Sequence, residues 1–426
     1  MALSERQDRW WQECRQRISV DDLAKTVAAL VDLPTPTGEE GALAKAVVAR
    51  LSAKGIVAEE QVIDAQQSNA VARLSGSGSK PSLMLYSPTD TVTSSSPEED
   101  LPWSGERMFP ELLARAHVQD GHVSGLGAQN PKGHAACVII AFEILAASGI
   151  PFAGDVLLGL GAGGMPTNPR PQAGGQAGHG NGCDWMMRSD WKPDYAIIAK
   201  SGWSVSWEEV GLAWYEVRVK GTHTYVGSRH LIPYSNAIVN AGKVIGDLEA
   251  WFPQWAQTHR SGLVEPQGVV SWIEGGWSRM PAFTPAECRF RFDLRLSPRT
   301  TEEEADAAVA AVLEESVSRH DVELSCERIV LMPGTTTQPD NPVIATAVEA
   351  WEAVAGETHA PMSRMSGATD ANILRGHGVP TARIGLPKAV RSAGDFQRGM
   401  NMVRVEDMVR LTEVLLYAAI AMCAER

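Results

Sequence analysis

The hydrophobic pattern changes period along the chain. Near the amino end, apolar residues recur at helical spacing over residues 20–33 and again over 41–54, which predicts two amphipathic helices. Thr37 and Glu40 precede the second of them at the spacing of a capping box. Residues 69–74 and 83–86 are short apolar runs separated by the turn-rich GSGSKPS, and read as strands. A long apolar helix is predicted over 132–148, after GLGAQNP. Residues 155–160 and 194–199 carry few polar side chains, as expected of strands covered by helices on both faces.

The middle of the chain has another rhythm. Residues 214–220 alternate, 235–251 are helical, and 268–274 and 287–296 read as strands. TEEEAD opens a helix over 301–319, and a strand follows over 322–330. That order is the βαββαβ arrangement of a ferredoxin-like module. After LMPGTTTQPDNP an αβα pattern returns and ends in a helix over 405–424. The expected plan is an α/β domain in two pieces, 1–207 and 331–426, interrupted by a small α+β insert over 208–330.

Composition narrows the classes of function. With 426 residues, 44% apolar and 21% charged, the chain has material for two or three folded domains, and a disordered or fibrous protein is excluded. Asp plus Glu number 51 against 38 Lys plus Arg, a net charge of -13 with no compensating basic run, so no nucleic-acid partner is expected. Cys14, Cys137, Cys183, Cys288, Cys326 and Cys423 are scattered without a CxxC pair, the pattern of reduced thiols in a cytoplasmic protein. The opening MALSERQDRWWQECRQR lacks the apolar stretch of a signal peptide, and no apolar run reaches the roughly 20 residues that span a bilayer. No membrane partner is expected.

Six segments then line up in one order: LAKTVAALVDLPTPTGEEGALAKAVVARLSAKG, LMLYSPTDTV, DGHVSGLGAQNPKGHAAC, YEVRVKGTHTYVGS with SNAI, IEGGWSRMP through FDLRLSP, and SGATDANIL through VPTARIGLP. Together they resemble the di-zinc aminoacylase and exopeptidase family that includes acetylornithine deacetylase, succinyl-diaminopimelate desuccinylase and carboxypeptidase G. The resemblance runs over nearly the whole chain. It implies a zinc-exopeptidase-like α/β catalytic domain with an inserted ferredoxin-like lid or dimerisation domain, a small-molecule substrate, and a homodimer formed through the insert.

The ligand positions that the resemblance implies hold other residues. Its first zinc-ligating His, two residues before Asp90, is Pro88, and its bridging Asp is Asn130 in Asn130-Pro131-Lys132-Gly133. Its Glu–Glu pair of general base and ligand falls in LGLGAGG, residues 158–164, which has no carboxylate. Its fourth ligand, an acid, is Lys200, and its last His falls near Gln397. Pro, Gly and a protonated Lys offer zinc no donor, and a Lys ammonium about 4 Å from a dication is repelled by roughly 8 kcal/mol at an effective dielectric of about 20. No metal and no other cofactor is therefore expected.

The remaining polar groups define the candidate site. Asp90 is read as catalytic, against the alternative of a turn Asp bonded to its own loop. Lys200 reads equally as a structural partner of Asp90 or as a catalytic cation, base or nucleophile. His223, or Tyr225 four residues after Gly221, stands where the resemblance expects a His that polarises a carbonyl. Asn130, Lys132, Asp370 and Gln397 are assigned to substrate binding, with Arg279 and Arg364 as clamps for a carboxylate. Gly159-x-Gly161-x-x-Gly164 is a dinucleotide fingerprint in letters, but the following MPTNPR opposes the helix it requires. Three functions stay open: metal-independent acid–base chemistry on a small polar molecule, foremost hydrolysis of an amide-type C–N bond and otherwise an elimination or isomerisation; a non-catalytic binding or scaffold protein; and a conventional metal-dependent amidohydrolase.

Overall fold

A computed structural model describes residues 3–105, 107–168, 178–200, 202–389 and 399–425. In chain order it forms helices α1 (Glu5–Arg15), α2 (Val20–Val31) and α3 (Gly41–Ala53), then strands β1 (Ala58–Val62), β2 (Ser68–Leu74) and β3 (Leu83–Pro88). Helix α4 (Pro97–Ser104), the short pair β4 (His117–Gln119) and β5 (His122–Ser124), helix α5 (Lys132–Ala146), strand β6 (Val156–Gly161), helix α6 (Asn181–Met187) and strand β7 (Tyr195–Ala199) follow. The middle holds β8 (Glu208–Glu209), β9 (Gly211–Lys220), β10 (Thr224–Tyr225), α7 (Ala237–Thr258), β11 (Gly268–Gly275), β12 (Phe283–Thr284), β13 (Glu287–Leu296), α8 (Glu302–His320), β14 (Leu324–Met332) and β15 (Thr335–Thr336). The chain closes with α9 (Pro342–Ala355), α10 (Ala371–Gly376), β16 (Thr381–Ile384), β17 (Met402–Arg404) and α11 (Val405–Cys423).

These elements divide into two compact units. The first comprises Met1–Trp207, Thr337–Pro361 and Thr369–Arg426. Its six-stranded sheet runs β1-β2-β6-β3-β7-β16, with β6, β3, β7 and β16 parallel and β1 and β2 antiparallel at one end. Strands β3, β6 and β16 are buried at every position, as a sheet covered on both faces requires. On one face α1, α2, α3, α5, α9 and α11 contribute to the main core, while α6 and α10 cover the other with Met186, Met187 and Leu374. Helix α5 is buried all round from Lys132 to Leu145, which explains its apolar sequence without an amphipathic stripe. The chain leaves this unit at Trp207 and re-enters at Thr337, whose N–H donates to the Trp207 carbonyl at 2.8 Å.

The second unit comprises Glu208–Thr336 and Met362–Ala368. Its four-stranded antiparallel sheet has the order β11-β13-β9-β14, and the sequence of elements β9, α7, β11, β13, α8, β14 is βαββαβ. Strand β13 alternates strictly between buried and outward positions, with Phe290, Phe292 and Leu294 turned into a core shared with Val244 and Leu248 of α7 and Val309 and Leu313 of α8.

Candidate functional site

The parallel strands of the first unit end in register, Pro88 of β3 opposite Gly161 of β6, and Ile384 of β16 opposite Ala199 of β7. Their carboxyl edge is where open α/β sheets gather ligands. The segments leaving it carry Thr89–Asp90, Ala162–Met165, Lys200 and Gly385. Asp90 is wholly buried. Its Oδ1 accepts the Gly164 N–H at 2.8 Å, and its Oδ2 accepts the Met165 N–H at 2.9 Å and the Thr37 hydroxyl at 2.6 Å. Glu40 lies alongside, and its Oε1 accepts the N–H groups of Gly38 and Gly163, each at 2.9 Å. Its Oε2 is buried and has no hydrogen-bond partner among the described residues. Burial, reinforced by the charge of Asp90, pushes the Glu40 carboxyl up to about 8. The capping box predicted for Thr37 and Glu40 does not form. Glu40 is itself the N-cap of α3 without a side-chain cap bond, and the Thr37 hydroxyl goes to Asp90 instead.

Asp370 immediately precedes α10 and is also inside. The Tyr86 hydroxyl donates to its Oδ2 at 2.6 Å. Two glycines make room for it: a Cβ on Gly164 would lie 2.8 Å from Oδ2, and one on Gly180 would lie 3.1 Å from Oδ1. Burial pushes Asp370 up to about 7; the Lys200 charge and the Tyr86 hydrogen bond hold it back, while the Asp90 charge adds to the rise. Lys200, buried at the end of β7, also acts on His134 of α5. There burial first, then the Lys200 charge, depress the imidazole to about 3. His134 Nε2 accepts the Leu386 N–H at 3.0 Å, which assigns the ring proton to Nδ1. The edge thus gathers Glu40, Asp90, Asp370 and Lys200, and two of its acids titrate near neutral pH, the range in which acid–base chemistry is most effective.

Sequence reasoning overlooked Glu40 as a site residue, and Tyr86 and His134 altogether. Tyr86 closes an apolar strand run and His134 sits in an apolar helix, so neither stands out until the strand ends are brought together. Other predicted residues have different engagements. Lys132 is buried, its Nζ donates to the Leu33 carbonyl at 2.7 Å, and burial lowers it to about 7 against the pull of Asp32. Asn130 donates its N–H to the Met400 carbonyl at 3.0 Å, and its Oδ1 is buried without a partner among the described residues. Gln397 lies outside the described residues.

The remaining candidates are in the second unit. His223 is exposed, with Nδ1 3.0 Å from the Thr284 carbonyl and its ring stacked on Phe283. Tyr225 packs at a tilt against the same Phe283, and Arg279 lies 5.5 Å over the Trp277 ring. Arg364 does not stand free as a carboxylate clamp for substrate: it already grips Glu265 with Nε at 2.8 Å and Nη2 at 3.1 Å.

At the expected ligand positions the side chains of Pro88 and the glycines of 161–164 have no donor atom, and Asn130 carries no carboxylate charge. Among the described residues no three His, Cys, Asp or Glu side chains are grouped to hold a metal ion. The fingerprint glycines 159, 161 and 164 are followed over 162–168 by bends and loop rather than by a helix, so the dinucleotide geometry does not form.

Residues 84–421 match Peptidase family M20/M25/M40. The N-formyl-4-amino-5-aminomethyl-2-methylpyrimidine deformylase of Bacillus subtilis (strain 168) is 22% identical over 429 residues, spanning 95% of this chain and 94% of that protein. Human carnosine dipeptidase 1 shares the fold with a TM-score of 0.73 at 14% identity over 99% of each chain. Bacillus subtilis YXEP, a dinuclear metal binding peptidase, shares it with a TM-score of 0.61 at 13% identity over 96% of this chain and 98% of that one.

Proposed function

This chain belongs to Peptidase family M20/M25/M40, and we propose that it is a hydrolase of amide-type C–N bonds in small polar molecules, working without a zinc pair. A hydrolase of peptidase-like or aminoacylase-like type is what family membership supplies; the metal-free chemistry is our reading of the strand-end residues. Their side chains do not fit two zinc ions, because the positions that would coordinate them offer Pro, Gly, Asn and a lysine cation. The observation that carries the proposal is that the charge of the buried Lys200 acts on Asp370, a buried acid poised near neutral pH. In this scheme water adds to the substrate carbonyl as the Asp370 carboxylate takes its proton. The Lys200 ammonium faces the oxyanion that develops, and Asp370 returns the proton to the leaving amine as the C–N bond breaks.

The test is turnover of a panel of N-acyl amino acids, N-formyl amines and dipeptides by purified protein before and after exhaustive chelation. Activity is expected to survive chelation and to fall by about 100-fold or more in Lys200→Met and in Asp370→Asn. About two tightly bound transition ions per chain, with activity lost on their removal, would restore the conventional metalloenzyme. Ligand-dependent stabilisation with no turnover would support the binding protein instead.

We also propose that the chain is cytoplasmic and pairs with a second copy through the insert. Its six cysteines are free and five are buried, and among the described residues no helix is long and apolar enough to cross a membrane. Strand β11 is a sheet edge with Val269 and Ile273 half exposed, and Ile238 and Val239 are exposed at the start of α7. An apolar edge of this kind is a ready template for pairing. Ile273→Lys is expected to turn a dimer into a monomer by light scattering; a wild-type chain that is already monomeric would end this part of the proposal.

A further inference from the structure

Beyond β6 the backbone makes a turn whose amides have no sheet ladder to join. Ala162 N–H goes to Asn69 Oδ1 at 2.9 Å, and the next three go to carboxyl oxygens: Gly163 to Glu40 Oε1, Gly164 to Asp90 Oδ1 and Met165 to Asp90 Oδ2. The same two carboxyl groups also take the Thr37 hydroxyl and the Gly38 N–H. Two side chains therefore fasten three stretches of chain at the carboxyl edge: residues 37–40, the end of β3 and the turn after β6.

Both carboxyl groups are wholly buried, and two neighbouring negative charges in such a place are strongly disfavoured. Of their four oxygens, three accept hydrogen bonds from that turn or from residues 37–38. The fourth, Glu40 Oε2, has no partner among the described residues, which makes it the natural seat for a proton. We infer that Glu40 holds a proton on Oε2 at neutral pH and that Glu40 and Asp90 together act as a clamp on the turn after β6, with Glu40 as a positioning residue. The consequence for chemistry rests on the proposed function. The clamped Gly164 is the residue whose Cβ position lies 2.8 Å from Asp370 Oδ2, so the clamp sets the wall against which that acid sits.

The charges around the clamp fix the direction of its pH response. Asp90 opposes ionisation of Glu40, while the backbone N–H groups of Gly38 and Gly163 favour it; burial prevails, and Glu40 keeps its proton up to about 8. Asp370, just before α10, feels the charge of Asp90, and it also feels the opposite charge of Lys200 from the end of β7. Above that pH two negative charges face each other and the clamp loosens.

Amide hydrogen exchange on the full chain tests this with no substrate. Between about pH 7 and about pH 9, protection factors of Gly163 and Gly164 are expected to fall about tenfold, the change that follows one pH unit beyond a titration midpoint, while amides in the middle of β6 stay constant. Glu40→Gln keeps an acceptor oxygen but cannot ionise, so its protection should not change with pH. Asp90→Asn also removes one of the two charges and should be flat in the same way. Wild-type protection that is constant over this range, or a Glu40→Gln protein that loses it as the wild type does, would overturn the clamp. A Glu40→Gln chain that fails to fold leaves the wild-type profile and Asp90→Asn to decide. Failure of the catalytic reading leaves these exchange rates untouched.

Discussion

Two regions of the molecule bury carboxyl groups with opposite results. At the strand ends of the first unit, Glu40 and Asp370 face backbone amides, a tyrosine hydroxyl and other acids, and burial pushes both up towards neutral pH. On the sheet of the second unit, the Glu216 side chain is only 4% exposed, yet Arg218 reaches it at 2.6 Å and Arg291 at 2.7 Å. Burial pushes Glu216 up as well, but the hydrogen bond and charge of Arg291, with Arg218 and Arg289, outweigh it and hold the carboxyl below its ordinary value. Glu265 behaves likewise: the Arg364 hydrogen bond lowers it, and Arg260 adds to the effect. Burial prevails at the deeper strand ends, whereas a covered carboxyl that meets a guanidinium keeps its charge. The deeper region is the one left with protons to exchange.

The sharpest way to break the contrast is to remove Lys200, the cation whose charge acts on Asp370. Lys200→Met takes away the positive charge that favours the ionised form of Asp370, and removing one member of a buried charge pair costs about 3–5 kcal/mol. Because Asp370 can respond by taking up a proton, the lower end, about 3 kcal/mol, is expected in urea unfolding at neutral pH. A loss below about 0.5 kcal/mol, the range of an ordinary surface change, would mean that Lys200 does not hold the cluster.

Next comes the pH dependence of stability. Asp370 is raised from 3.8 to about 7, so between those values the folded chain holds a proton that the unfolded chain has lost. Stability therefore falls as pH rises through that window, by about 1.4 kcal/mol per pH unit for this one group. Glu40 adds a fall of the same sign up to about 8. In Asp370→Asn the slope between about pH 5 and about pH 7 should drop to about half that of the wild type; an unchanged slope would show that Asp370 ionises in the fold as it does in water.

How much of this was readable in the sequence depends on whether a residue's partners are near it in the chain. Strand β13 was legible to the residue, Glu287–Leu296, because a sheet with one outward face leaves a period of two. The βαββαβ order of the insert followed from the same periodicity. Strand β1, AEEQV, was not legible: it lies at the sheet edge, is mostly outward-facing, and carries no apolar run. Helix α1 was overlooked because its sequence is strongly polar and its buried residues are only Gln7, Trp11 and Cys14. In the site, Asp90 and Lys200 were found through the resemblance. Glu40 was misread because its spacing from Thr37 fits a local cap, whereas its bond to Gly163 spans 123 residues. Local spacing cannot anticipate a contact that only the sheet brings about.

The smallest effect tests the other side of the comparison. The partners of Glu216 are well solvated, Arg218 with 43% and Arg291 with 38% of the side chain exposed, so water and salt screen their attraction. Glu216→Gln should therefore cost only about 1 kcal/mol at neutral pH, and less as salt is added. Its pH sense is opposite to that of Asp370. A carboxyl held below its ordinary 4.5 contributes stability that is present above that value and is lost as pH falls through the lowered one. The variant's deficit should accordingly shrink on acidification, where the strand-end acids become more favourable. If the deficit reached several kcal/mol, or persisted unchanged at high salt, the sheet-face pairs would be acting as buried pairs. Their arginines, rather than the burial of the strand-end acids, would then be the feature that calls for explanation.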